Sequence, residues 1–287
     1  MSSNPFTFRP HLRDTQIKRE TSKLEGLGMI RKPVVSAANS NTRILSGSRQ
    51  LIGDAAIKSS TPLEQPNCRV SMNIGLNSTR MRELMVQRLQ QQGITNQAVL
   101  EAMFTVPRHA FVDQGLASRA YDDAALPIGL KQTISQPYIV ARMVSLALEG
   151  ASNNRVLEIG AGCGYQTAVL AEVYRQVFAI ERIRGLYDLA EDNLSHLPHT
   201  SHIHLIYGDG LKGLPHYAPF DAIVIAAAGL ELPHTLFEQL VIGGRLIAPL
   251  GGVRQRLVMF ERVSEQRWER HELEETRFVP LLPGIQS

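Results

Sequence analysis

The chain has 287 residues, 44% of them hydrophobic, and a formal net charge of +3 from 30 Lys/Arg against 27 Asp/Glu. That is enough apolar material for one large domain or two small ones, and no run approaches the roughly 18–20 consecutive apolar residues of a membrane-spanning helix. The charge is uneven: residues 1–75 hold 11 Lys/Arg and 5 Asp/Glu, leaving 19 and 22 for the remainder, a mildly acidic body without the basic groove of an enzyme that works on nucleic acid.

The N-terminus lacks the apolar core of a signal peptide, and Cys68 and Cys163 have neither metal-binding nor disulfide spacing. The expectation is a cytoplasmic protein with no metal site, no membrane and no nucleic-acid partner. Residues 1–75 are rich in Ser, Asn, Arg and Lys without sustained periodicity, which predicts a basic, disordered N-terminal extension. Order is predicted from about Ser78, so that residues 76–287 form the working domain, with a helical lead-in over 78–150 and an α/β core over 155–287.

In STRMRELMVQRLQQQGI, apolar residues at Met81, Leu84, Met85, Val86 and Leu89 have helical spacing, and Gly93 closes the segment. NQAVLEAMFTV predicts a second helix ending before Pro107. A loop containing Pro127 and Gly129 leads to TISQPYIVARM (133–143), where Ser135 stands ahead of Gln136 and Pro137, the place of a helix N-cap, and a helix is predicted over 136–149. From Arg155 strands and helices alternate: RVLEI, YQTAVLAEVY, QVFAIE, IRGLYDLAEDNLSHL, HIHLIYGD, FDAIVIAAA, LPHTLFEQLV, then a glycine turn and RLIAPLG. RLVMFERV and the segment around WERHELEETRFVPL read as antiparallel strands. Repeated βα units followed by a hairpin define a doubly wound, mostly parallel sheet with an antiparallel edge.

The first strand of that core runs into EIGAGCGYQTAVLA. Gly160, Gly162 and Gly164 lie between a strand and a helix start, where glycine permits a tight turn and close approach of a ligand to backbone. The dinucleotide pattern GxGxxG fails, because Tyr165 occupies the third glycine's place. GxGxG after the acidic strand end Glu158 instead resembles motif I of the S-adenosyl-L-methionine-dependent methyltransferases, which have a Rossmann-like fold. Glu181 ends the second strand, 21 residues after Gly160, where a carboxylate can accept from both ribose hydroxyls. Arg182 follows it, and Asp209–Gly210 ends the third strand, placed to meet an adenine edge. These residues, with Tyr165, are the expected cofactor contacts.

A closer resemblance covers about residues 76–285. LPIGLKQTISQPYIVARM, VLEIGAGCGYQTAVLA, AIERIRGLYDLAEDNL, GDGLKGLPHYAPFDAI, QLVIGGRLIAPLG and RFVPL resemble the protein-L-isoaspartate O-methyltransferase family, and TISQP ahead of motif I is the most specific of them. Cys163, Ala226 and Gly229 depart from residues common in that family. The resemblance implies a protein or peptide substrate with an L-isoaspartyl residue, whose free α-carboxylate takes the methyl group of S-adenosyl-L-methionine and leaves S-adenosyl-L-homocysteine. The ester then re-forms succinimide, which initiates repair. It further implies that Ser135, supported by Thr133, orients the carboxylate, and that Ile134, Gln136, Arg277 and Val279 contact the peptide. A monomer is expected. Two other readings use the same residues: a methyltransferase of this fold acting on a small molecule or RNA, and a cofactor-binding module without catalysis.

Overall fold

The protein is represented by a computed structural model that describes residues 6–7, 73–150 and 152–287. The disorder expected of residues 1–75 therefore falls almost wholly outside the described residues, as does Cys68. Within that stretch β1 (Phe6–Thr7) runs parallel beside the last strand, with Phe6 opposite Trp268, and α1 starts at Asn73.

The remaining elements follow in chain order. The lead-in comprises α1 (Asn73–Gln91), α2 (Gln97–Thr105), β2 (Leu126–Gly129), β3 (Gln132–Ile134) and α3 (Pro137–Leu148). The core comprises β4 (Arg155–Ile159), α4 (Tyr165–Ala171), β5 (Gln176–Glu181), α5 (Arg184–Ser195), β6 (Ile203–Tyr207), β7 (Phe220–Ile225), α6 (His234–Glu238), β8 (Leu240–Gly251), β9 (Gln255–Ser264) and β10 (Arg267–Thr276). One sheet has the order β1-β10-β9-β8-β7-β4-β5-β6. The block from β8 to β6 is parallel, whereas β8–β9 and β9–β10 pair antiparallel. The chain moves outward from β4 through β5 to β6 and then crosses to β7 on β4's other side. The crevice at the carboxyl ends of β4 and β7 is the switch point where open α/β sheets bind ligands.

Alternation along the strands sorts the core onto the two faces of the sheet. Val156, Val177, Ala222, Val224 and Ile247 pack with α1, α2, α3 and α4, whereas Leu157, Ile159, Phe178, Ile180, Ile223 and Leu246 pack with α6 and the ring of Trp268. Two-sided burial is why these strands read as apolar runs.

Three local features differ from the sequence expectation. The loop before TISQP is a hairpin, with β2 antiparallel to β3. Its two turn residues, Leu130 (φ 49°) and Lys131 (φ 61°), are both left-handed, a conformation whose usual signal is Asn-Gly, so Leu-Lys gave no cue. Gly243 and Gly244 lie inside β8 rather than in a turn before it, where the pairing with β7 shifts register between Phe220 and Ala222. Helix α4 stops at Ala171 instead of running to Tyr174, and the carbonyl of Val173 accepts from Asn153 Nδ2 at 3.0 Å.

Candidate active site

Strand β4 ends at Ile159, and the chain turns through Gly160 (φ 90°), Gly162 (φ 58°) and Gly164 (φ 86°) before α4 begins. A side chain at Gly164 would also lie 3.1 Å from Leu194 of α5, so packing and backbone both select glycine there. Gly160, Ala161, Gly162 and Cys163 of this loop, with Glu158, Glu181, Arg182, Gly210 and the hairpin residue Ile128, line an open-mouthed cavity that Gly164 does not border.

Glu181 is buried, and its carboxylate is braced by three backbone N–H groups: Gly162 at 2.9 Å, Arg182 at 2.8 Å and Ile183 at 2.9 Å. Two oxygens offer about four acceptor positions, so the brace aims the group and still leaves capacity for a hydroxyl. Asp209 does not line the cavity, though Gly210 does. Its Oδ1 accepts from Leu211 N–H at 3.0 Å, and its Oδ2 accepts from Gly284 N–H at 2.9 Å. The guanidinium of Arg182 likewise turns to the C-terminal segment and donates to the Gly284 carbonyl at 2.8 Å. Gln286 pairs by backbone with Arg182 and Arg184, and Tyr207 Oη donates to its carbonyl at 3.0 Å. Residues 283–286 thus lie across the carboxyl ends of β5 and β6, which the motif pattern did not anticipate.

Glu158 lies on the α4 side of β4 and is fully buried. It accepts from Gln166 Nε2 at 3.0 Å and from Thr167 Oγ1. Burial pushes its carboxyl up to about 8, the two hydrogen bonds only partly opposing this, so it is mostly neutral at pH 7. Burial likewise lifts the Cys163 thiol to about 11, keeping it protonated. Tyr165 borders the cavity, but its ring turns into the helical layer, edge-on to Phe111 at 5.5 Å and beneath the Arg108 guanidinium at 4.8 Å. Arg108 is itself fully buried, donating to the Ala120 carbonyl at 2.7 Å. Sequence reading passed over it because an Arg after a proline carries no signal of burial.

A second cavity opens beside the first, and Thr133, Ser135, Ala226 and Val279 form walls of both. Gln136, Ile139 and Arg277 line only the second, and Ile134 lines only the first. The structure therefore brings the TIS segment and the RFVPL segment to one junction. The latter is anchored by backbone pairing of Ala228 with Val279 and Leu281. Ser135 is not the cap of α3. The N-cap position is Gln136, without a side-chain cap bond, and Pro137 removes the next donor. The Tyr138 N–H is covered instead by Asp123 Oδ1 at 3.2 Å, from a remote loop. Among the described residues no cluster of three His, Cys, Asp or Glu side chains could hold a metal ion, and no helix is long and apolar enough to cross a membrane.

A glycine loop after the first parallel strand, an aimed carboxylate after the second, and a crevice at the switch point define a Rossmann-like methyltransferase. The family profile described as protein-L-isoaspartate(D-aspartate) O-methyltransferase matches residues 79–286. The chain is 56% identical over 255 residues to a protein-L-isoaspartate O-methyltransferase of Bordetella parapertussis, covering 89% of this chain and 95% of that one. It is 58% identical over 250 residues to the corresponding protein of Bordetella avium, covering 87% and 91%. Among solved structures, a protein-L-isoaspartate O-methyltransferase superposes with TM-score 0.64 at 28% identity over 71% of this chain and 67% of that one. One from Plasmodium falciparum gives 0.61 at 22% identity over 70% and 98%, a likeness of fold. The chain belongs to the protein-L-isoaspartate O-methyltransferase family, and the activity that goes with membership is S-adenosylmethionine-dependent methylation of isoaspartyl residues.

Proposed function

We propose that S-adenosyl-L-methionine binds across the carboxyl ends of β4, β5 and β6, and that the free α-carboxylate of an L-isoaspartyl residue enters through the second cavity to meet it at Ser135. The observation that carries this reading is the shared wall: the two cavities meet at Thr133, Ser135, Ala226 and Val279. The first cavity fits the cofactor on two counts. Its loop has three left-handed glycines, and its floor holds an acceptor, Gln166 Oε1, without a partner among the described residues. The Plasmodium falciparum structure of similar fold contains S-adenosyl-L-homocysteine, which supports the same choice of cofactor.

When bound, the cofactor supplies an electrophilic methyl group on a sulfonium that carries its own leaving group. The chain's residues have to bind, orient and exclude water. A substrate carboxylate is already ionised at neutral pH, so no general base is required. Two titratable groups that line the first cavity suit that division of labour: Cys163 keeps its proton and Glu158 is mostly neutral. Ser135 and Thr133 offer neutral hydroxyl donors, which direct a carboxylate while leaving it nucleophilic. Bringing nucleophile and methyl carbon into line is catalysis by orientation. Arg277, exposed at the rim of the second cavity, holds acidic or carbonyl groups of the flanking peptide, and Gln136 and Val279 contact its backbone. Isoaspartyl proteins and peptides are the substrates of a cytoplasmic monomer. Ser135→Asp tests the assignment: the variant is expected to bind S-adenosyl-L-homocysteine normally and to methylate isoaspartyl peptide about 30- to 1000-fold more slowly than wild type, as about 2–4 kcal/mol of like-charge cost predicts. Near-normal methylation would remove Ser135 from the substrate site.

A further inference from the structure

Resting on the substrate path above, we propose that Glu274 is a positioning residue: by tying α3 to the end of β10 it sets the width of the second cavity, and with it the preference for an L-isoaspartyl over a normal aspartyl linkage.

The two long walls of that cavity come from segments far apart in the chain. Thr133, Ser135 and Gln136, leading into Ile139 of α3, form one; residues 275–279, where β10 ends, form the other. Glu274 lines neither cavity but stands one residue before the second wall. Its Oε1 accepts from Arg142 Nε at 3.1 Å and from Tyr138 Oη at 3.5 Å. Tyr138 and Arg142 are four residues apart, on one face of α3, so a single carboxylate grips the helix at two points. The Arg142 and Glu274 side chains are 30% and 28% exposed, and an ion pair shielded to that degree is screened less than one at the open surface.

A bulge puts Glu274 there. From Trp268 to Glu272, β10 pairs with β9 residue for residue, but Glu272 stands opposite Val258 and Glu275 opposite Arg256, so three steps on β10 match two on β9. Trp268 packs on the α6 side of the sheet and Leu273 on the α3 side, as alternation requires. Strict alternation would return Glu274 to the α6 side. The extra residue lets Leu273 and Glu274 both reach the α3 side, and Arg256 Nη2 donates to the Leu273 carbonyl at 2.6 Å. Re-aiming a side chain beside an active site is a recurrent use of such bulges.

The chemistry of the linkage makes the width matter. In an L-isoaspartyl residue the free carboxylate is attached directly to a main-chain carbon. In a normal aspartyl residue one methylene stands between them, a step of about 1.5 Å. With the carboxylate at Ser135 and the flanking main chain along residues 277–279, a fixed separation of the walls fits one linkage and not the other. A misplacement of about 1 Å can cost on the order of 100-fold in rate, so walls held more closely than that discriminate.

The experiment uses the full chain and a pair of peptides identical except for the linkage. Methylation of the isoaspartyl peptide gives kcat/KM, and inhibition by its aspartyl twin gives KI. Glu274→Leu should lower kcat/KM by about 10- to 100-fold and leave KI for the twin, which the wild-type walls do not fit, within about threefold of wild type. Affinity for S-adenosyl-L-homocysteine should be unchanged, and Tm should fall by no more than about 4 °C, as loss of a partly exposed ion pair predicts. Arg142→Leu cuts the same tie from the helix side and should reproduce the loss; the double variant should add nothing to either single change. Glu274→Gln keeps the acceptor oxygen and should recover most of kcat/KM. Equal weakening of both peptides would reduce Glu274 to a structural part, and unchanged kcat/KM in both single variants would likewise overturn the proposal. If wild type methylated neither peptide, or both alike, the substrate path itself would fall, a result distinct from these. Arg142→Leu carries the test should Glu274→Leu fail to fold.

Discussion

Replacing Ser135 by Ala separates a helix cap from a substrate contact. A capping serine is worth about 1 kcal/mol, within a range of roughly 0.5–2. The structure gives that task to Asp123, whose Oδ1 covers the Tyr138 N–H at 3.2 Å and whose Oδ2 accepts from Gln92 Nε2 at 2.8 Å. Ser135 makes no bond to α3, where the N-cap is Gln136 and Pro137 takes the first helical position. Ser135→Ala is therefore expected to change stability by no more than about 0.5 kcal/mol, whereas Asp123→Ala should cost about 1 kcal/mol. In a domain of this size the second change lowers Tm by about 2–4 °C. Activity should show the reverse pattern. Loss of a hydroxyl donor to a carboxylate removes about 1.5–3 kcal/mol, so Ser135→Ala should lower kcat/KM for an isoaspartyl peptide by about 10- to 100-fold. Asp123→Ala should keep most of it. Melting curves with steady-state kinetics on both variants decide the matter. If Ser135→Ala melted as low as Asp123→Ala and kept full turnover, the serine would be a cap after all.

The cofactor-free protein should lose stability as pH rises: the folded Glu158 keeps its proton up to about 8, against an ordinary 4.5. Between those values the folded state holds a proton that the unfolded chain has released, so stability falls by up to about 1.4 kcal/mol per pH unit. Urea midpoints from pH 5.5 to 8.5 should show that slope in wild type and not in Glu158→Gln; parallel slopes would contradict it. Gly210→Ala would place a methyl 2.3 Å from Cγ2 of the buried Ile159. Crowding of that kind costs about 1–3 kcal/mol, and the variant should melt lower and bind S-adenosyl-L-homocysteine more weakly. Deleting residues 283–287 removes the bonds from Gly284 and Gln286 to Asp209, Arg182 and Tyr207. S-adenosyl-L-homocysteine should then dissociate several-fold faster by stopped flow, with the melting curve of the core retained; an unchanged off-rate would leave the segment without a part in cofactor retention.

The sheet and the cofactor loop were legible because their signals are local. β4 and β5 match their predicted spans, since two-sided burial writes them as short apolar runs. Glu158, Gly160, Gly162 and Glu181 line one crevice because the strand order carries each there, whereas Gly164 faces Leu194 and Ala190 and does not line it. What escaped depends on partners distant in sequence. The cap on α3 comes from Asp123, fifteen residues upstream of Tyr138, so a serine in the usual place was misleading. The reach of Asp209 and Arg182 toward residues 283–286 could not be read from a turn dipeptide and a strand-end arginine. Gln166 looked like an ordinary helical residue. Its significance lies in one unmet oxygen, which only packing reveals.

The most direct test of the central claim is methyl transfer from tritiated S-adenosyl-L-methionine to paired synthetic peptides identical except for an L-isoaspartyl or a normal aspartyl residue. The account predicts label on the isoaspartyl peptide alone, released as volatile methanol by mild base, as a carboxyl ester requires. Equal labelling of the two peptides, or base-stable label, would contradict it.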